Sequence, residues 1–178
     1  WDHDFSIVER YLDLAVKHLG KPPVVAVYCW DVDAGSTYFG KAPGTQYAHL
    51  IEDTGTPFTV LDPKTGALTE ERSPKWSDPE AKAFWQPVFD GLRAILKKRG
   101  LEQSMMVGLT PDKRPLKETV ALLREVSGGA PWISHAHPYI NQPLFGSPVG
   151  YFTTVWGSGR IPDPSEARHY GWRTPQLA

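Results

Sequence analysis

A chain of 178 residues, 40% apolar and 12% aromatic, can bury one core, yet it is short for a complete eight-stranded β/α barrel, which needs roughly 250 residues. A formal charge of −1 with 22% charged residues gives neither the basic excess that nucleic acid demands nor a polybasic face for a membrane surface. The single cysteine, Cys29, lies in an apolar run and excludes a disulfide framework or a cysteine-built zinc site within one chain.

The chain opens on Trp1 and runs almost at once into a helical pattern, so a portion of a longer protein is expected. Phe5, Val8, Tyr11, Leu12, Ala15 and Leu19 recur at helical spacing, with Ser6 as a candidate cap and Gly20 as the stop. Pro22-Pro23 then leads into Val24 to Trp30, an apolar, β-branched run of strand length, expected to be covered on both faces. Residues 34 to 57 show no period and read as a long loop. Phe58 to Asp62 and Ala67 to Glu71, joined through Pro63-Lys64-Thr65-Gly66, read as a β-hairpin; with the loop they form an insertion over 34–78.

Ser77 or Asp78 with Pro79 starts the next helix, whose apolar stripe Phe84, Val88, Phe89, Leu92, Ile95 and Leu96 ends in Lys97-Lys98-Arg99-Gly100, with Pro87 predicting a kink or a second start. Ser104 to Thr110 is a second buried strand. Pro115 suits the first turn of a helix carrying Leu116, Val120, Leu123 and Val126, which Gly128-Gly129 closes. Trp132 to Ser134 and Val149 to Val155 complete the strands, and the tail from Gly157 shows no helical stripe. Strands alternating with helices predict an α/β fold with parallel strands, specifically a partial (β/α) TIM-barrel-like domain with a β-hairpin insertion, forming one unit over 1–178.

In parallel β/α folds the loops after the strands carry the site. Trp30, Asp31 and Asp33 follow the first strand, Asp112 and Lys113 the second, His135 and His137 the third, and Trp156 the fourth. Asp31 and Asp112 are the candidate catalytic acids, because glycoside cleavage needs a proton delivered and a developing positive charge stabilised; capping a loop or a helix is their alternative role. His135 and His137 alternate onto one side of an extended segment, where they bind a substrate, hold a metal together with Asp31, or serve structure. Trp76, Trp85, Trp132, Trp156 and Trp172 are the candidates for a sugar platform; of these Trp85 and Trp132 read as core by their pattern, and Trp156 is the candidate ligand contact. No dinucleotide, P-loop, serine-hydrolase or zincin motif occurs, and no cofactor is expected. No stretch reaches the roughly 20 apolar residues of a membrane span.

The stretch from about Phe84 to Trp156 resembles part of the catalytic barrel of glycoside hydrolase family 123 and its bacterial relatives. The resemblance rests on Phe84-Trp85-Gln86-Pro87 opening a helix that ends Leu96-Lys97-Lys98-Arg99-Gly100, on a strand followed by Asp112, and on Pro148-Val149-Gly150-Tyr151 and Arg168-His169-Tyr170-Gly171-Trp172. It implies a retaining, substrate-assisted hydrolase of N-acetylgalactosaminides, secreted or periplasmic, with carbohydrate as partner. Asp112 matches the family's aspartate, which orients the 2-acetamido group. Lys113 stands where the family carries its glutamic acid, and a lysine is a poor proton donor at neutral pH. Trp30, Asp33, Lys113, His135, His137, Tyr151 and Trp156 are the expected substrate-binding residues. Two further readings stay open: a non-catalytic half-barrel that associates with further domains or with itself, because open strand edges and apolar faces must be covered, and a metal-dependent hydrolase using His135, His137 and Asp31.

Overall fold

The computed structural model describes residues 2–28, 36–38, 55–108, 113–135, 143–154 and 176–177. Among these residues three α-helices, α1 (Ser6–Leu19), α2 (Ala81–Lys98) and α3 (Lys117–Val126), accompany nine strands. These are β1 (Val25–Val27), β2 (Ser36–Tyr38), β3 (Pro57–Leu61), β4 (Leu68–Arg72), β5 (Met105–Val107), β6 (Lys113–Pro115), β7 (Trp132–His135), β8 (Val149–Thr154) and β9 (Gln176–Leu177). The fold is mixed α/β around a parallel sheet in the order β1-β5-β7-β8-β9. Two antiparallel ribbons stand beside it, β2-β6 and β3-β4. Among the described residues no helix is long and apolar enough to cross a membrane.

Helix α1 forms where the spacing placed it, but its cap differs. The Ser6 N–H donates to Asp4 Oδ1 at 2.8 Å, so Asp4 satisfies the first orphan donor and Ser6 is already helical. The bonds from Ser6 hold the Asp4 carboxyl below its usual range. Leu12 buries against the core, and Gly20 ends the helix with its N–H on the Val16 carbonyl at 3.0 Å. The helix is tied to α2 through Arg99, whose side chain is 8% exposed and donates to Asp13 Oδ1 at 2.8 Å and to the Ile95 carbonyl at 3.0 Å. Arg99 was legible only as a basic residue suited to a helix end; its main task is to join two helices.

The Phe58–Glu71 hairpin is present, as β3 and β4. At its tip Asp62 accepts from the Lys64 N–H through Oδ1 and from the Thr65 hydroxyl through Oδ2, each at 2.8 Å, and these bonds lower the Asp62 pKa. The hairpin is docked by Phe58, whose ring lies 5.2 Å from that of Phe84 on α2, while β4 is exposed along its whole length.

Several expectations are corrected. At Pro87 the second helix start is what the structure excludes: α2 continues through it as one element, with Ala81, Trp85, Phe89, Ile95 and Leu96 buried. Pro115 does not open α3. It is buried at the end of β6, and α3 starts two residues later. The expected long loop holds β2, a short strand that pairs with β6 and had no periodic signal. Strand β1 is not covered on both faces: among the described residues it lies at the edge of the sheet, with Ala26 exposed between half-buried Val25 and Val27. Trp76, left among the possible sugar platforms, is 5% exposed and stacks on Trp85 at 5.2 Å, so it belongs to the core with Trp85 and Trp132. The tail contributes β9, two residues that extend the sheet beyond β8.

The main core lies between the helices and one sheet face, where Phe89, Leu96, Leu123 and Val126 meet Met105, Val107, Trp132 and Val149. Full burial of a side chain such as Phe89 contributes about 2–3 kcal/mol. Met106, Ile133 and Tyr151 cluster on the opposite face with Val24. Strand β5 is therefore buried on both sides, as a central parallel strand requires.

Candidate functional site

The sheet has two rims, and the chain treats them differently. At the C-terminal rim, β1 and β5 are neighbours, with Val27 opposite Val107. The segments that follow them rejoin in a second pair: β2 and β6 run antiparallel with Tyr38 opposite Lys113 and Ser36 opposite Pro115. In sequence, Asp31 and Asp33 lie between β1 and β2, and Asp112 lies immediately before β6.

Of the expected site residues, Trp30, Asp31, Asp33, Asp112, His137 and Trp156 lie outside the described residues. Lys113 is the first residue of β6 rather than part of a free loop. His135 is the last residue of β7, opposite Thr153 of β8, and so stands at the same rim. Tyr151 lies in β8, 9% exposed, packed with Met106 and Ile133 on the face opposite the main core.

Two residues had not been singled out by their chemistry: Tyr28 and Gly108. Counting from Ala26 and Met106, which are register partners, both fall on the Tyr151 face. A Cβ on Gly108 would lie 2.7 Å from both Ile133 Cγ2 and the Ile133 carbonyl oxygen, and 2.9 Å from Tyr28 Cε1. Glycine is therefore required where the Tyr28 ring and the β7 backbone crowd against β5. Gly150 acts similarly. It is the extra residue of an irregularity in the β7-β8 ladder, where Trp132 faces Val149 and Ile133 faces Tyr151, and a Cβ there would lie 2.8 Å from Pro131 Cβ.

The outcome is a row across four adjacent strands: Tyr28, Gly108, Ile133 and Tyr151. Burial pushes the Tyr28 pKa up to about 12, with a smaller contribution from the nearby Tyr151; burial also raises Tyr151. Both hydroxyls stay protonated throughout the neutral range, so both can donate as well as accept. The sequence did hold a signal for this row. Alternation along Val25 to Tyr28 sets Ala26 and Tyr28 apart from the valines, and a lone glycine in a strand run marks close approach.

A polar depression of about 140 Å³ lies at the other rim, lined by Arg93, Glu102, Gln103, Met105 and residues 127–131. Arg93 and Glu102 pair across it at 3.2 Å. Its backbone donors are already used: Gly128 N–H on the Glu125 carbonyl, Gly129 N–H on the Arg124 carbonyl at 2.8 Å, and Ala130 N–H on Ser127 Oγ at 3.1 Å. This is a helix end sealed by its own groups. It sits where the chain enters β5 and β7, the end that serves stability in parallel β/α folds.

Among the described residues no three His, Cys, Asp or Glu side chains gather in a metal-binding group. A scan of the chain against protein-family models matches none of them, and a search of curated proteins finds no match.

Proposed function

We propose that this chain is an arc of a β/α barrel that binds and cleaves glycans of the N-acetylhexosaminide type at the C-terminal rim of its sheet. The observation that carries this reading is the strand order β1-β5-β7-β8-β9, all parallel and always progressing in one direction along the chain. A doubly wound sheet reverses its order at a switch point, whereas a barrel adds each new strand on the same side. The resemblance to glycoside hydrolase family 123 supplies the chemistry. Asp112 orients the substrate's 2-acetamido group, whose oxygen attacks the anomeric carbon as the glycosidic bond breaks. Asp31 or Asp33, rather than Lys113, delivers the proton to the leaving oxygen.

The test incubates the protein with aryl N-acetyl-β-galactosaminides and a glycan panel, alongside Asp112→Asn and Asp31→Asn. Turnover that falls at least 100-fold in Asp112→Asn is expected, by the usual size of a lost catalytic group. Turnover indifferent to Asp112, or no glycan recognition at all, overturns the reading.

A second reading, self-association without catalysis, is favoured by α1 and β1. Ile7, Tyr11 and Leu14 form a stripe on α1 that is 78%, 70% and 57% exposed, and among the described residues β1 pairs only with β5. Sedimentation equilibrium decides it: a dimer that Tyr11→Glu converts to a monomer supports self-association, and a wild-type monomer removes it.

A further inference from the structure

Tyr28 combines features that a purely structural residue does not need. It is the first residue past β1, at the C-terminal end, and its ring is seated over Gly108 with Ile133 beyond. It faces the side of the sheet where the second cluster contains strand residues and Val24 but no helix residue. It nevertheless remains 39% exposed, whereas its row-mate Tyr151 is 9% exposed. In sequence, Asp31 and Asp33 follow it, and Asp112 follows its neighbour Gly108.

We propose that Tyr28 is a ligand-binding residue of this rim, that its hydroxyl hydrogen-bonds a neutral polyhydroxylated ring, and that Gly108 is glycine in order to seat it. The inference deepens the glycan reading and rests on it. Neutrality of the ligand follows from the side chains placed around the row: Val24, Met106, Ile133 and Tyr151 carry no charge and offer an anion no counter-charge.

The experiment is isothermal titration of the full chain with methyl N-acetyl-β-galactosaminide and with its 6-sulfated form, for wild type and Tyr28→Phe. Hydroxyl-radical footprinting of the wild type, read by mass spectrometry, runs in parallel and does not depend on the variant folding. Wild type binds the neutral glycoside more tightly than the sulfated one, and Tyr28→Phe weakens neutral binding about 10-fold, the size of one hydrogen bond near 1.4 kcal/mol. The bound glycoside lowers radical oxidation of Tyr28. Wild type that binds while Tyr28→Phe binds equally well and Tyr28 stays unprotected overturns this inference and leaves the glycan reading standing. Preference for the sulfated probe overturns the neutral-ligand claim. A wild type that binds neither probe overturns the glycan reading itself, and this inference with it.

Discussion

At the N-terminal rim the chain enters β5 and β7 through segments whose polar groups are paired with one another, around Arg93, Glu102 and the turn after α3. At the C-terminal rim β1 and β5 end side by side, β2 and β6 pair in a second ladder, and the row from Tyr28 to Tyr151 crosses the sheet. The N-terminal rim contains a polar depression whose turn N–H groups at Gly128, Gly129 and Ala130 are already bonded. The C-terminal rim carries the partly exposed Tyr28 and, at the end of β7, His135, on the side of the strands where β/α folds do chemistry.

The largest expected effect falls on both rims together. Phe89 is fully buried beneath the sheet, and Phe89→Ala lowers stability by about 3–5 kcal/mol, measured by urea unfolding, with both rims unfolding in one transition. Separate transitions for the two rims would show that they do not share a core. Next in size is a pair of glycine substitutions that separates the rims. Gly108→Ala forces a Cβ against the Ile133 carbonyl and costs about 1–3 kcal/mol, and it abolishes glycan binding as well. Gly128→Ala, at φ +70° beside the flexible end of Arg93, costs about 1–2 kcal/mol and leaves glycan binding unchanged. Equal binding losses in the two variants would erase the distinction.

How much was legible in the sequence follows the same division. Helices α1, α2 and α3, the hairpin and the parallel strands β1, β5, β7 and β8 were readable because each lies in a stretch with a helical period, turn chemistry or an apolar run of strand length. Strands β2, β6 and β9 were not readable: no such run surrounds them, and only tertiary pairing creates them. The contacts of Arg99 with α1 and of Trp76 with Trp85 were hidden for a related reason, since a long or wide side chain reaches partners that sequence distance hides. At the site, the positions of Lys113 and His135 beside strand ends agree with the sequence only coarsely, and Lys113 is drawn into β6. Tyr28 was visible as part of an apolar run, but its seat on Gly108 depends on which strands are neighbours.

The smallest effect is a pH dependence. The folded Tyr28 pKa, about 12, lies above the ordinary value of 10, so the folded chain keeps a proton that the unfolded chain has lost between these values. Stability is therefore intact below pH 10 and declines as pH rises towards 12. Partial exposure of Tyr28 keeps the change small. Thermal unfolding across pH 9 to 12 is expected to fall less steeply in Tyr28→Phe than in wild type; identical slopes would place the effect elsewhere.

Hydrogen exchange with and without saturating methyl N-acetyl-β-galactosaminide compares the rims most directly. Protection on adding the glycoside is expected in peptides covering Tyr28, Gly108 and the C-terminal end of β7, with no change in peptides covering 102–105 and 127–131. Protection confined to the Arg93–Glu102 depression, with the Tyr28 row unaffected, would contradict the assignment of function to the C-terminal rim.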